Sequence, residues 1–450
     1  MALTALDIYK LLPKTNCKEC GFPTCLAFAM QMAAGKAGID KCPPASGEAK
    51  AALGAATAPP LPRVVVGTED RAVTLGDEVV LFRHEKTFYH PTAIAVSVSD
   101  ALGGEALEER LRAVSALTFE RVGQVLAVDM VAVRFDSGDP EKFAKTAATA
   151  LSRCGKPLVL SGTCAALSAA VREVGESRPL LRPPAGDAAE GAALAVSAKL
   201  PLAVSARGID GLEGALAAAR AAGVMELVAD PMPGDVASAV ADSVFIRRLA
   251  IAHRAREIAY PTAFDLGRGF PRPFEAACLL IAKYGSLLVL DTADPSDIFP
   301  LLTLRQNLYT DPQRPIQVEP GIYPIGKASP ASPVLVTTNF SLTYFTVRSD
   351  VEASKTPAYL LIAECDGMSV LTAWAAGKFT SESIAGLLAD SGIAAKVEHR
   401  TLILPGMVAR LSGKLEELSK WRVLVGPQES SSLSSYLRRL PPAAFAPSNG

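Results

Sequence analysis

The chain has 450 residues, with 45 Lys and Arg against 46 Asp and Glu, so its net charge is −1. That length divides into two or three domains, and the balanced charge excludes an electrostatic nucleic-acid binder and an acidic solvating tail, leaving proteins and small molecules as expected partners. No run reaches the ~18 uninterrupted apolar residues of a spanning helix, and the start MALTALDIYKLLPK has no cationic segment leading into a long apolar one, so the expected location is the cytoplasm, away from membranes.

From the amino end, LTALDIYKLL reads as a helix, NCKECGFPTC (16–25) as a loop, TCLAFAMQMAAGKAG as a second apolar helix, and KCPP as the closure of a small unit. This first domain is expected over 1–57. The run PPASGEAKAALGAATAPPLPR (43–63) is rich in Pro, Ala and Gly and holds only two leucines, so its end reads as a linker reaching about residue 63.

Short β-branched runs then alternate with helix-length segments: TAIAVSVS, LAVDMVAVRF, PLVLSG, LPLAVSA, MELVAD, AYPTAF and SLLVLD. Seven or eight strand-helix units over residues 64–322 match a TIM (β/α)8 barrel in size, with a doubly wound sheet as the alternative. The alternation restarts with SPVLVTTN, AYLLIAEC, TLILPG and WRVLVG, which places a separate small α/β domain over 323–450. Its strands are followed by DGMSVLTAWAAGKF, PGMVAR and GPQESSSLSSY, loops that set Gly, Ser or Thr where helices begin. Open α/β folds bind flat or phosphate-bearing ligands at that carboxyl edge.

The chemistry is concentrated in Cys17, Cys20, Cys25 and Cys42, spaced CxxC, four residues, C, sixteen residues, CP. In a reducing compartment such thiols hold metal rather than form disulfides. Four thiolates suit either zinc or a [4Fe-4S] cluster. One wrapped loop giving three ligands, with a distant Cys-Pro giving the fourth, follows ferredoxin-type sites more closely than paired zinc knuckles. Gly21 and Pro23 let the loop fold back on the cluster sulfurs, and Lys14, Lys18, Lys36 and Lys41 are available to offset its charge, or form a solvated face. With every ligand a cysteine, the cluster is expected to carry electrons. Cys154, Cys164, Cys278 and Cys365 show no ligand spacing and read as packing residues.

The run TNCKECGFPTCLAFAMQMAAGKA with KCPP, the segments LFRHEKTFYH and LRQNLYTDPQ, and VLVTTNFSLTYFTV with DGMSVLTAWAAGKF together resemble the large (gamma) subunit of the corrinoid iron-sulfur protein of the anaerobic acetyl-CoA (Wood-Ljungdahl) pathway. The resemblance spans the whole chain. It implies an N-terminal [4Fe-4S] domain, a central TIM barrel and a C-terminal Rossmann-like α/β cobalamin-binding domain. It also implies a carrier in a corrinoid-dependent methyltransferase reaction. Co(I) accepts a methyl group from methyltetrahydrofolate through a methyltransferase and delivers it to acetyl-CoA synthase, and the cluster returns Co(II) to Co(I). The implied partners are a smaller subunit in a heterodimer, the methyltransferase, acetyl-CoA synthase and a reductive activator.

On this resemblance the corrinoid is expected to contact Thr338, Asn339, Ser341 and Thr343, then Gly367 with Ser369, Val370, Leu371, Thr372 and Ala373, and Gly406, Gly426, Pro427 and Ser431 on neighbouring loops. The alternative for Thr338 to Thr346 is an ordinary strand with alternating polar positions. None of the four histidines, His84, His90, His253 and His399, lies in a DxHxxG motif, so base-off cobalt without a protein ligand is expected; His399, at a strand start, is the one to test. Two rival readings remain. One is a pterin-binding barrel methyltransferase using acids such as Asp129, Asp230, Asp265 or Asp291, and the other an iron-sulfur electron-transfer subunit without B12. The basic stretch RRLAIAHRARE (247–257) reads as a docking face or as solvated helix surface.

Overall fold

A computed structural model describes residues 4–33, 37–47, 49, 50, 53, 59–85, 88–122, 124–267, 269–309 and 316–446. The chain forms two compact units, one of Met1–Leu81, Tyr89–Ser115 and Asp129–Ala293, the other of Phe82–Phe88, Ala116–Val128 and Asp294–Gly450.

The first unit begins with α1 (Ala5–Leu11) and α2 (Cys25–Ala33). A capping box starts α1: the Thr4 hydroxyl accepts the Asp7 N–H at 3.2 Å and the Asp7 carboxylate accepts the Thr4 N–H at 3.3 Å. Ile8, Leu12, Phe28, Met32 and Ile39 bury a small core around the cysteine loop.

Next, β1 (Val64–Val66) and β2 (Val73–Leu75) form an antiparallel pair. After β3 (Ala93–Ser99), the ribbon β4 (Thr118–Arg121) and β5 (Gln124–Ala127) belongs to the second unit. The chain then runs through β6 (Met130–Arg134), β7 (Leu158–Ser161), β8 (Leu180–Arg182), β9 (Leu202–Ser205), β10 (Leu227–Asp230), β11 (Ala263–Asp265) and β12 (Leu287–Leu290). Strand β3 and the seven from β6 to β12 are all parallel, in the order β10-β9-β8-β7-β6-β3-β12-β11. The Ala229–Thr262 bridge brings β10 to the start of β11, so the barrel is nearly closed. The doubly wound alternative therefore falls for this unit.

Small residues such as Ala95, Ala132, Ala203 and Ala263 point inward among Met130, Leu180 and Leu287, and β1–β2 closes the amino end of the barrel with Val64, Val66 and Leu75. Two details differ from the reading by periodicity. The run LAVDMVAVRF is divided: β5 pairs with β4, while β6 enters the barrel after Asp129, whose carboxylate accepts the Ile94 N–H at 2.8 Å. The barrel strand β8 lies in RPLLRP, three residues between prolines and too short to show a period.

The second unit carries β13 (Gly321–Ile325), β14 (Val334–Thr338), β15 (Ala358–Ala363), β16 (Thr401–Leu404) and β17 (Arg422–Val425), ordered β13-β15-β14-β16-β17. β13 is an antiparallel edge, which accommodates Pro324, and the other four are parallel with helices on both faces. Val334, Val336, Leu361 and Leu402 pack on one face with Phe379, Ile384 and Leu415. Leu335, Leu360 and Ile403 pack on the other with Tyr344, Val351 and Leu437, and Val122 from the β4–β5 turn joins that second core. The order β15-β14-β16-β17 has its switch point between β14 and β16, where doubly wound sheets open a crevice.

Candidate functional site

Two places in the chain gather chemistry. The first is the cysteine loop. Lys14, Asn16 and Lys18 all have positive φ, at 59°, 50° and 64°, and Gly21 follows at 82°, so the chain coils tightly between Leu12 and Cys25. Asn16 locks that coil: its N–H reaches Sγ of Cys25 at 3.4 Å, and its Oδ1 accepts the Cys25 N–H at 2.8 Å, at the start of α2. Cys42 follows the turn Ile39–Lys41, donating its N–H to Ile39 O at 2.9 Å.

Cys17 is exposed, Cys20 half-buried, and Cys25 and Cys42 buried. Burial raises the Cys42 thiol above its ordinary value, and Cys20, Cys17 and Cys25 push it further in the same direction. A buried Cys42 thiol that resists ionisation beside three other cysteines suits a positively charged group that draws off its proton. Among the described residues, no three Cys, His or acid side chains converge on a single ion. An iron cube sets each thiolate on a separate iron, and the ligand types and loop fit that group. Lys14 lies over the Tyr9 ring at 5.6 Å, Lys18 and Lys41 are exposed, and Lys36 lies outside the described residues.

The second place is a cavity of about 420 Å3 at the carboxyl ends of β14, β16 and β17. Its bed is apolar, from Leu335, Val336, Ile403 and Leu404, and its rim carries Leu342, Leu371 and Met407, which are 64%, 47% and 41% exposed. Of the sequence-predicted residues, Thr343, Ser369, Val370, Leu371, Gly426 and Pro427 line it. The others stand behind or beside it. Ala373 packs into the sheet core, and the Thr372 and Ser369 hydroxyls lie 3.0 Å apart. Ser341 opens the helix Ser341–Ser354, and Ser431 sits next to the lining residue Ser430. Thr338 is fully buried outside the lining.

Asn339 is committed to the chain. Its Oδ1 accepts the N–H groups of Cys365 and Gly367, both at 3.0 Å, and its Nδ2 donates to Glu364 at 3.0 Å and Gln317 at 3.3 Å. It therefore holds the loop that leads into the helix Val370–Ala375. Gly367, at φ 66°, leaves no room for a Cβ, which would meet Gln317 at 2.7 Å. Gly406 is equally constrained, since a Cβ would lie 2.5 Å from Gly426 O, and its N–H donates to Pro427 O at 3.1 Å. These glycines bring the loops after β16 and β17 together.

Sequence reasoning missed Thr337, Leu342, Thr346, Val347, Met407 and Gln428 in the lining. The strand alternative for Thr338 to Thr346 fails because β14 ends at Thr338 and a helix begins at Ser341. Positions 342, 343, 346 and 347 share one helical face, a spacing that was available in the sequence. An apolar bed with a polar edge suits a broad, flat ligand.

None of the lining residues is a histidine. His399 lies at the amino end of β16, fully buried: Nδ1 accepts the Thr401 N–H at 3.1 Å, Nε2 donates to Ser332 O at 2.9 Å, and Phe445 meets the ring edge-on. Cys365 is a buried thiol, pushed up to about 11 by burial and then by Glu364, and Cys164 also reaches about 11, chiefly through burial.

The acids weighed for a barrel active site are paired. Asp265 bridges Arg134 at 2.5 Å and Arg182 at 2.9 Å, Asp230 meets Arg182 at 2.8 Å, and Asp291 meets Arg134 at 2.8 Å. Burial alone lowers Arg182, yet Asp230 and Asp265 outweigh it and hold the guanidinium above its ordinary value. Asp129 sits at the opposite, amino end. Arg247 in the basic stretch is buried against Glu78 and Tyr284.

The profile of the family described as "CO dehydrogenase/acetyl-CoA synthase delta subunit" matches residues 63–437, and that of "Putative Fe-S cluster" matches residues 12–44. The chain is 45% identical to the "Corrinoid/iron-sulfur protein large subunit" of Moorella thermoacetica, over 97% of this chain and 99% of that protein. It is 37% identical to the "Acetyl-CoA decarbonylase/synthase complex subunit gamma" of Methanothermobacter thermautotrophicus, over 98% and 99%. Among solved structures, a dihydropteroate synthase from Thermus thermophilus covers 55% of this chain and 100% of its own at 17% identity and a TM-score of 0.38, a likeness too slight to bear on function. With both cysteine loop and C-terminal unit inside the full-length matches, the chain belongs to the family of corrinoid/iron-sulfur protein large subunits and acetyl-CoA decarbonylase/synthase gamma subunits.

Proposed function

We propose that this chain is a corrinoid methyl carrier of the acetyl-CoA pathway, with three functional domains near 1–57, 64–322 and 323–450. Cys17, Cys20, Cys25 and Cys42 hold a [4Fe-4S] cluster, and the cavity at the carboxyl edge of β14, β16 and β17 holds a corrinoid. When bound, the corrinoid supplies Co(I) as the methyl acceptor between a methyltetrahydrofolate-dependent methyltransferase and acetyl-CoA synthase, and the cluster supplies the electron that returns Co(II) to Co(I). The observation that carries this reading is the 45% identity along the whole chain to a corrinoid/iron-sulfur large subunit, cysteine loop and cavity segments together.

The chain's own residues divide the work. Asn16 and the left-handed loop fix the cysteines; the apolar bed takes the face of the macrocycle; Ser369, Thr343, Gly426 and Pro427 offer hydroxyls and backbone to its polar arms. His399 has both nitrogens engaged away from the cavity, which favours a base-off corrinoid. The paired acids at the barrel's carboxyl mouth speak against a pterin-binding barrel; the family resemblance implies that the barrel joins a smaller subunit in a heterodimer.

Anaerobic purification with its smaller subunit followed by iron and cobalt analysis tests the reading. Four irons and one cobalt per chain, with a corrin spectrum that changes on adding methyltetrahydrofolate and the methyltransferase, are expected. Iron without cobalt overturns it in favour of an electron-transfer subunit, and folate-dependent methyl transfer by a cobalt-free chain would revive the barrel enzyme.

A further inference from the structure

Strands β14 and β16 pair only through Val334–Leu402 and Leu335–Ile403. Beyond Leu335 the two part, and the cavity lies in the opening. Thr337 stands in that opening, 1% exposed, lining the cavity, with a hydroxyl that has no hydrogen-bond partner among the described residues. Two other buried hydroxyls of this unit are satisfied within the chain: Thr401 donates to Ala444 O at 2.9 Å and Ser354 to Val351 O at 2.6 Å. A buried hydroxyl without a partner destabilises the fold, and valine would fill the same strand position without that cost.

We propose that the Thr337 hydroxyl is a specificity-determining contact that hydrogen-bonds a polar arm of the corrinoid, either a ring amide or the nucleotide tail, and orients the macrocycle in the cavity. This rests on reading the cavity as the corrinoid site. A satisfied hydroxyl at the switch point sets which way a ligand with one apolar face and several similar edges is seated. Thr338 supplies the control. Its hydroxyl is also buried and without a partner among the described residues, but the residue lies outside the cavity lining.

The test uses the full chain carrying its cluster, freed of corrinoid and titrated with hydroxocobalamin or with cobinamide, which lacks the tail, while binding is followed by visible absorbance. Thr337→Val is expected to weaken binding about five- to tenfold, the loss of one hydrogen bond, and to raise the melting temperature of the corrinoid-free chain. Thr338→Val is expected to raise the melting temperature and leave affinity unchanged. Weakening toward both ligands assigns the contact to a ring amide, and weakening toward hydroxocobalamin alone assigns it to the tail. Affinity of Thr337→Val within about twofold of the parent for both ligands, or equal weakening by Thr338→Val, overturns the inference while the cavity reading stands. A parent chain that binds neither ligand overturns the cavity reading and this inference with it.

Discussion

Asn16 and Cys25 hold each other twice, through the Asn16 N–H to Sγ at 3.4 Å and the Cys25 N–H to Asn16 Oδ1 at 2.8 Å, so one residue closes the cysteine loop and donates to the sulfur of a proposed cluster ligand. Amide donors to cluster sulfurs favour the more negative, reduced state. Asn16→Ala keeps the backbone donor but removes the Oδ1 acceptor and the residue type that tolerates φ 50°, which together seat that donor on Sγ, so it is expected to lower the cluster's midpoint potential or its iron content, read by redox titration with EPR and by iron assay. Asn16→Asp keeps the acceptor and should keep the iron. Four irons at the parent potential in Asn16→Ala would refute the role.

Asn339 serves the cavity from behind. Its Oδ1 ties the Cys365 and Gly367 amides, which set the entry to the helix Val370–Ala375. Asn339→Ala leaves two buried N–H groups without their acceptor and should cost the second unit about 2 kcal/mol. Cobalt content should fall while four irons remain. Full cobalt retention would show that the loop holds its shape by other means.

Asp265 links Arg134 and Arg182 across the barrel mouth. Asp265→Asn removes the shared counter-charge and is expected to destabilise the barrel by about 2 to 4 kcal/mol in denaturant unfolding. Methyl uptake by the folded variant should match the parent, because the network is structural. Lost methyl uptake at unchanged stability would move chemistry into the barrel.

His399 gives the second unit a pH dependence with a definite sign. Burial holds its pKa below the ordinary 6.5, so the unfolded chain takes up a proton first as pH falls. Its contribution is fully present above 6.5 and is lost as pH drops below that value, by at most about 1.4 kcal/mol per pH unit. Melting curves from pH 7.5 to 5 should show this slope, and His399→Gln should flatten it. An identical slope in the variant would assign the effect to other groups.

The cysteine spacing and most parallel strands could be read directly, because both are local patterns: thiols at fixed intervals and β-branched runs between helical segments. What lay hidden depends on distance in sequence or on parity. The β4–β5 ribbon sends Val122 into a core built mostly from residues beyond 316, a partnership no window reveals. The lining residue is Thr337, whereas the sequence reading chose Thr338. With both sheet faces buried, every position of β14 is inside, so hydrophobic alternation carries no sign of which face meets the cavity.

The proposed electron link between the cysteine loop and the corrinoid is tested most directly by Cys42→Ala. The variant, shown by iron assay and EPR to lack its cluster but to retain cobalt, is oxidised to Co(II) and offered an external reductant, and Co(I) is followed by its visible band. The parent should return to Co(I) and the variant should not. Undiminished return of Co(I) in the cluster-free variant would contradict the account.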